Sequence, residues 1–173
     1  MSYNINNEEL VDKVMDFVMR CPLYEKYGVT LLELQVQKTN LGEEGSSSIE
    51  YNGSEVLSKQ SDINGSVYIV KKSHFSIYFT RSSEFNDDRY DMTKFLQNFE
   101  QWVDFQEVTG NIPALSTFKS SERIEFTKSS VSMNANGGSL LTVVEEEDVS
   151  IYTVNLDVIH RDIIDSTLIN DWD

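Results

Sequence analysis

Apolar residues recur every three or four positions near the start of the chain. They are Leu10, Val11, Val14, Met15, Phe17 and Val18. This spacing places them on one face of an α-helix. Asn7 followed by two glutamates is typical of an N-cap with acids in the first turn, and Pro22 cannot continue a helix. The pattern predicts a first helix between Asn7 and Pro22.

A second helical pattern lies in the middle of the chain. Its apolar face consists of Met92, Phe95, Leu96, Phe99, Trp102 and Val103, with Gln106 at its end. The opposite face carries Lys94, Gln97, Glu100, Gln101 and Asp104. This amphipathic pattern predicts a central helix whose aromatic residues pack on a sheet. Gly110 fits its C-terminal cap, and Pro113 prevents the helix from resuming.

Between the two helices, polar and apolar residues alternate as in β-strands. The stretches "SSSIEYNGSEVLSK" and "INGSVYIVKKSHFSIYFTR" both show this period of two. In the second stretch Phe75, Ile77 and Phe79 share one face, which we predict to be the buried one. Asn64 and Gly65 both tolerate positive φ, so they predict a type I′ turn between two strands.

The last third of the chain predicts another hairpin. Alternation begins again at Ile124 and Val131, the segment "NANGG" (134–138) predicts a turn, and the final strand would contain Tyr152 to Val158. The order of elements lacks the β-α-β repeat that a parallel sheet requires. We therefore predict a single α+β domain over residues 1–173. Its antiparallel β-sheet would have about four to six strands, with two main helices on one face, and 165–173 would form a flexible tail.

The composition is that of a folded protein with a strong acidic excess. Hydrophobic residues make up 39%, and 29 acidic residues against 14 basic ones give a net charge of −15. The resulting field repels phosphate backbones and anionic lipids. We therefore expect no sequence-specific nucleic-acid binding and no membrane association. The polar N-terminus does not resemble a signal peptide, so we expect synthesis in the cytoplasm.

The residues that could carry chemistry are few. Cys21 is the only cysteine, which excludes an intrachain disulfide, and its apolar neighbours suggest a buried, inert thiol. Nucleophilic catalysis normally needs a histidine, and only His74 and His160 are present. Both fall in predicted strands without a G-x-S-x-G motif, so we interpret them as strand-surface or core histidines. We expect no enzymatic activity and no catalytic, cofactor-binding or metal-binding residues.

Some residues are candidates for partner contacts instead. Phe105 falls away from the line of Phe95, Phe99 and Trp102 toward the polar side of its helix, which would leave it exposed. The acidic run Glu145, Glu146, Glu147, Asp148 lacks the spacing and glycine of a calcium loop, so it suggests a solvated hairpin. Phe105, Glu145, Glu146 and Glu147 are the predicted partner-contact residues.

The order of five motifs resembles one protein family. The motifs are "CPLYEKYGV", "LGEEGSSSIEY", "FSIYFTRSSEF", "FLQNFEQWVDFQEVTGNIPAL" and "IYTVNLDVIHRD". Together they resemble tailed-phage minor capsid proteins of the tail-terminator type, over roughly residues 15 to 160. Some members carry the label chloramphenicol resistance protein, but this chain lacks the H-H-x-x-x-D-G motif that such an acetyltransferase would need.

The resemblance implies a structural role in the virion. A chain of this kind would form a ring of six copies that caps the tail tube at the head-tail junction, and its partners would be tail-tube and head-completion proteins. It would have no cofactor and no active site. The sequence departs from the family pattern after the Leu41-Gly42-Glu43-Glu44 stretch and in "GGSLLTVVEEEDV", which looks like an insertion in the last hairpin.

Two functions of other classes stay open at this point. A cytoplasmic peptide-binding module could add a strand to an edge such as Ser66 to Val70. A metal-dependent hydrolase could use acidic clusters such as Asp87, Asp88 and Asp91, although acids at a helix start have a simpler explanation.

Overall fold

In the residues that the structure describes, the fold consists of three helices and a single antiparallel sheet. The computed structural model describes residues 8–27, 47–63, 65–82, 86–115, 117–121, 124–145 and 148–165. The helices are α1 (Glu8–Met19), α2 (Leu23–Lys26) and α3 (Asn86–Val108). The strands are β1 (Ser47–Ser61), β2 (Val67–Ser82), β3 (Thr117–Ser121), β4 (Ile124–Val144) and β5 (Val149–Asp165). Their order in the sheet is β1-β2-β5-β4-β3. The predicted α+β class is confirmed.

One face of the sheet carries the helices and the main core. Strands β1, β2, β4 and β5 contribute apolar side chains to it, and these alternate along β2 and β5 because successive side chains of a strand point to opposite faces. The core residues from the sheet are Ile49, Phe75, Ile77, Phe79, Met133, Ala135, Tyr152, Val154, Leu156 and Val158. Those from α1 and α3 are Leu10, Val14, Phe17, Val18, Met92, Phe95, Leu96, Phe99 and Val103. The predicted apolar faces of both helices are therefore the buried ones.

The C-terminal cap of α3 follows from its sequence. Gly110 has φ +75°, which is the left-handed conformation that glycine adopts without steric strain. Its N–H donates to the Glu107 carbonyl at 3.0 Å, and the Asn111 N–H donates to the Gln106 carbonyl at 2.8 Å. These two bonds form a Schellman motif, so the predicted glycine cap is confirmed. Asn7, the predicted cap of α1, lies outside the described residues.

The turn between β1 and β2 differs from the predicted type. Asp62 and Ser66 pair across a three-residue loop, and the Gly65 N–H donates to the Asp62 carbonyl at 3.1 Å. Gly65 has φ +89°, while the Asp62 carboxylate accepts the Ser66 N–H at 3.0 Å. A three-residue loop with a left-handed glycine at its end replaces the two-residue type I′ turn. The side chain of Asp62 explains the difference, because it holds the longer loop closed.

The segment "NANGG" is not a turn, contrary to the sequence prediction. Residues 134–138 lie inside β4, where the pairing with β5 shifts between Asn136 and Ser139. Gly137 has φ +70° at this shift. The glycines therefore form a β-bulge, which uses the same positive φ as a turn but lets the strand continue. The reversal to β5 comes at the acidic residues that follow Val144.

The segment proposed for strand addition does not lie at an edge of the sheet. Val67–Ser82 pairs with β1 on one side and with β5 on the other, so Ser66 to Val70 is not a sheet edge. In the described part of the chain β1 pairs only with β2. Its pairing is interrupted near Gly53 and again near Leu57, and such bulges hinder the addition of another strand.

Helix α3 lies directly against β4 at Gly138. A Cβ at this position would lie 3.0 Å from the Leu96 Cβ and 3.0 Å from the Glu100 Oε1. The same Glu100 oxygen accepts the Gly138 N–H at 2.8 Å. The absence of a side chain therefore lets the helix lie on the bulge and lets its carboxylate bind the backbone.

Replacing Gly138 by alanine is expected to destabilise the protein by about 1–2 kcal/mol, because the helix must move away from β4. Urea unfolding of Gly138→Ala and of Ser139→Ala, an exposed neighbour, measures the effect. An unchanged stability of the Gly138 variant would show that α3 does not depend on this contact.

The predicted flexible tail falls almost entirely outside the described residues. Of 165–173 the structure describes only Asp165, the last residue of β5. None of the helices in the described ranges is long and apolar enough to cross a lipid bilayer.

Candidate functional site

The predicted partner residue Phe105 lies exposed on the last turns of α3. Its side chain is 61% exposed, and that of Val108, three residues later on the same side, is 85% exposed. By contrast Phe95 and Phe99 are fully buried, and Trp102 is partly buried against Phe17 at a ring distance of 4.8 Å. Helical geometry separates the two sets. Gln106 continues the buried face, and Phe105 points about 100° away from Gln106 around the helix axis. We call Phe105 and Val108 the apolar end of α3.

The acidic residues lie at the other end of the molecule. Glu145 is exposed directly after β4, and Asp148 is exposed with φ 51°. Glu146 and Glu147 lie outside the described residues. We call Glu145 and Asp148 the acidic tip. The structure does not bring this tip and Phe105 together, because Thr93 lies beside Leu140 whereas later residues of α3 lie beside earlier residues of β4.

A groove of about 840 Å3 lies beside the C-terminal ends of α1 and α3. Helix α1 and the residue after it provide one wall, formed by Lys13, Asp16, Met19 and Arg20. Gln106 and the segment from Gly110 to Ala114 provide the other. The two cations exceed the single carboxylate by one charge, so the lining is locally positive on a chain of net charge −15. We call this surface the α1–α3 groove.

A buried polar network crosses β2 and β5 on the helix-covered face. The Ser73 Oγ lies 3.1 Å from the His160 Nε2, and the His160 Nδ1 lies 3.0 Å from the Asp162 Oδ1. The Lys71 Nζ forms an ion pair with the Asp162 Oδ2 at 2.9 Å. Ser73, His160 and Asp162 are at most 7% exposed. Every member therefore has a partner, as buried polar groups require.

The electrostatics of this network stabilise the ionised carboxylate. Burial alone would raise the pKa of Asp162, because it disfavours the charged form. The hydrogen bonds from His160 and Lys71, together with their charges, outweigh burial and lower the pKa below its ordinary value. Asp162 is thus a buried carboxylate that stays charged at neutral pH.

The connectivity of Ser73, His160 and Asp162 is that of a catalytic triad. In such a triad the Nε2 faces the serine and the Nδ1 faces the carboxylate. Two features of the surroundings oppose catalysis. Ser73 is only 1% exposed, so a substrate carbonyl cannot reach its Oγ. Strand β2 is also paired on both sides at Ser73, with Ser54 and with Val158, so its backbone N–H groups serve the sheet and not an oxyanion.

We therefore interpret the triad-like arrangement as a structural network that joins β2 to β5. His160 is buried, which fits one of the two alternatives predicted for both histidines, strand surface or core, but neither of its partners was predicted. Asp162 follows His160 by two positions, which places both on the same face of a strand and could have indicated the contact. Ser73 could not be found in this way, because its position depends on the register between two distant strands.

A second network lies on the other face of the same two strands. The His74 Nδ1 lies 2.7 Å from the Asp157 Oδ1, and the Lys72 Nζ lies 2.9 Å from the Asp157 Oδ2. Burial raises the pKa of Asp157, and the hydrogen bonds and charges of Lys72 and His74 reverse this to a net lowering. The His74 side chain is 36% exposed, so it lies at the strand surface, the other of the two alternatives predicted for both histidines.

The remaining candidate for chemistry is the cysteine. Cys21 is 3% exposed, and its burial raises the pKa of the thiol to about 12. Because the thiolate is the reactive form, Cys21 is inert at neutral pH, as predicted.

Neither a cluster of metal-ligating side chains nor a matching protein family indicates a function for the chain. Within the described ranges, no three His, Cys, Asp or Glu side chains are grouped as ligands for a metal ion. Asp87 and Asp88 belong to α3, but the structure does not describe their side chains. No protein-family model matches the chain, and no curated protein is significantly similar to it. Within the described residues, three of the exposed surfaces are candidates for partner contacts: the apolar end of α3, the α1–α3 groove and the acidic tip.

Proposed function

We propose that this chain is a structural virion protein of a tailed phage or prophage. It acts at the head-tail junction as a tail terminator or minor capsid protein, and its copies form a six-fold ring that caps the tail tube. The ring contacts tail-tube proteins on one side and head-completion proteins on the other. Its function lies in these contacts between subunits and not in a chemical reaction.

The placement of the motifs that resemble the phage family supports this proposal. The motif "CPLYEKYGV" contains α2, and "FSIYFTRSSEF" begins in the buried part of β2. The motif from Phe95 to Leu115 contains most of α3 with its glycine cap, and "IYTVNLDVIHRD" lies in β5. These four motifs therefore fall on elements of the fold, as expected for a shared fold. The fifth, "LGEEGSSSIEY", is described only from Ser47, where β1 begins.

The observation that carries the proposal is the exposure of the apolar end of α3. Phe105 is 61% exposed and Val108 is 85% exposed. Binding of another protein over them would be favourable, because it removes their apolar surface from water. The closed Ser73–His160–Asp162 network supports the same conclusion, because its hydroxyl is inaccessible to a substrate. Within the described residues, both observations favour a function in surface contacts.

The net charge suits a ring through which DNA passes. Each copy carries −15, and a ring of such copies presents a field that repels phosphate groups. DNA would then move through the opening without binding to its wall.

Disruption of the gene in an inducible phage tests the proposal. Electron microscopy of the lysate is expected to show free heads together with unattached or overlong tails. Supplying the wild-type chain in trans is expected to restore infectious particles, as is Gln101→Asp, a charge at an exposed position of the same helix. Phe105→Asp is expected to restore few or none. Normal infectious particles after gene disruption would refute the proposal.

The two alternative functions have less structural support. The segment Ser66 to Val70, which suggested strand addition, lies inside the sheet. A metal-dependent hydrolase predicts that calcium, magnesium or manganese raises the melting temperature, since a ligand that binds the folded state stabilises it. We expect no shift at millimolar metal.

A further inference from the structure

We propose that the α1–α3 groove of one copy binds the acidic tip of the next copy. This inference rests on the proposed function, because it assigns the two surfaces through which ring subunits meet. The occupant of the groove is a second copy of this chain, which presents Glu145 and Asp148 to it.

The first argument is the position of the two surfaces. The groove wall at Pro113 is tied to the first third of β4, since the Ser130 Oγ donates to the Pro113 carbonyl. The acidic tip follows Val144 at the end of that strand. Fourteen residues of strand span roughly 45 Å, so the two surfaces lie at opposite ends of β4. A contact between opposite ends is heterologous, and repetition of such a contact gives a ring when the rotation closes.

The second argument is charge complementarity. Among the described side chains, neither Lys13 nor Arg20 forms an ion pair, and the Arg20 Nε donates only to the Asp16 backbone carbonyl at 3.2 Å. The tip offers the carboxylates of Glu145 and Asp148. Copies of net charge −15 repel each other at long range, but this repulsion is screened beyond about 8 Å at physiological salt. The local attraction between groove and tip acts within that distance.

The third argument is that both surfaces carry exposed apolar groups beside their charges. Met19 is 48% exposed in the groove wall between the two cations. Leu140 and Leu141 are 44% and 55% exposed on the strand that leads to the tip. Contact between the two ends would remove these apolar side chains from water. The ion pairs would select the acidic end of the neighbouring copy as the end that enters the groove.

Charge reversal tests the contact in purified full-length protein. Sedimentation velocity of the wild-type chain, at concentrations up to about 1 mM and at physiological salt, is expected to show association that increases with concentration. The groove variant Lys13→Glu/Arg20→Glu and the tip variant Glu145→Lys/Asp148→Lys are each expected to weaken association roughly tenfold or more. The chain that combines all four substitutions is expected to regain association, because its charges are complementary again. Lys94→Glu/Lys59→Glu, two exposed lysines outside both surfaces, is the matched control.

A zero-length carbodiimide cross-link locates the contact directly. In a mixture of light and heavy-isotope copies, mass spectrometry is expected to find Lys13 linked to Glu145 or Asp148 across differently labelled copies. A monomeric wild-type chain, or groove and tip variants that associate like the control, would overturn the inference. In that case the phage experiment would still decide the proposed function independently, since ring contacts could use other surfaces.

Discussion

Replacing Phe95 by alanine is expected to lower the free energy of unfolding by about 4 kcal/mol. Phe95 is fully buried at the centre of an aromatic cluster. Its ring centroid lies 4.9 Å from that of Phe79, 5.7 Å from those of Tyr24 and Tyr27, and 6.1 Å from that of Phe99. Truncation therefore leaves a cavity at the junction of α2, α3 and the sheet, which these rings cannot refill without losing their own contacts.

Phe105→Ala is the matched control on the same helix. Its side chain is 61% exposed, so the same truncation is expected to change stability by less than about 0.5 kcal/mol. Urea titrations followed by circular dichroism give both values. Equal losses for the two variants would contradict the division of the aromatic residues into a core set and an exposed contact residue.

Replacing Asp162 by asparagine is expected to destabilise the protein by about 2 kcal/mol at pH 7, because Lys71 and His160 lose their anionic partner in a buried site. The amide preserves the shape of the side chain but not its charge. A large loss would therefore show that the charge of Asp162, and not only its packing, holds β2 to β5.

The pH dependence of the same variant gives a second, independent test. The folded-state pKa of Asp162 is lowered, so its contribution is fully present above the unfolded value of about 3.9 and is lost as pH falls below it. The difference in stability between wild type and Asp162→Asn is thus expected to shrink as pH falls from about 4 toward 2. Asp157 has a lowered pKa as well, so the variant keeps part of the acid sensitivity.

Asp104→Asn serves as the control, because Asp104 is exposed on α3. Its stability is expected to follow that of the wild type over the whole pH range. If the difference in free energy of unfolding between wild type and Asp162→Asn stays constant down to pH 2, ionisation of Asp162 does not stabilise the folded protein.

The elements that depend on local sequence were predictable. The apolar faces of α1 and α3 follow from a spacing of three and four residues, and the inward set Phe75, Ile77, Phe79 follows from alternation. The glycine cap at Gly110 follows from the conformation that only glycine adopts without strain. In each case neighbours in the chain determine the structure.

The errors concern positions where one local preference fits two structures. Positive φ at Gly137 is equally compatible with a turn and with a bulge, and pairing with β5 decides for the bulge. The loop closed by Asp62 depends on a hydrogen bond from its side chain, which the dipeptide Asn64-Gly65 does not indicate. The position of β2 inside the sheet depends on β5, which is more than 65 residues away in the chain.

The candidate site shows the same limit. Exposure of Phe105 follows from its helical phase, but the network of Ser73, His160 and Asp162 exists only because β2 and β5 pair in one register. The α1–α3 groove likewise combines a helix with a loop that lies about 90 residues later. Surfaces formed by segments that are distant in the chain can be identified only in the folded structure.

Electron cryo-microscopy of particles from a phage carrying this gene tests the central claim most directly. With a gold label on the protein, the proposed function predicts a ring of labelled copies between the tail tube and the head. The inferred contact between groove and tip further predicts that the acidic tip of each copy in this ring lies in the α1–α3 groove of its neighbour. Infectious particles that lack the protein, or that carry it away from the head-tail junction, would contradict the proposed function.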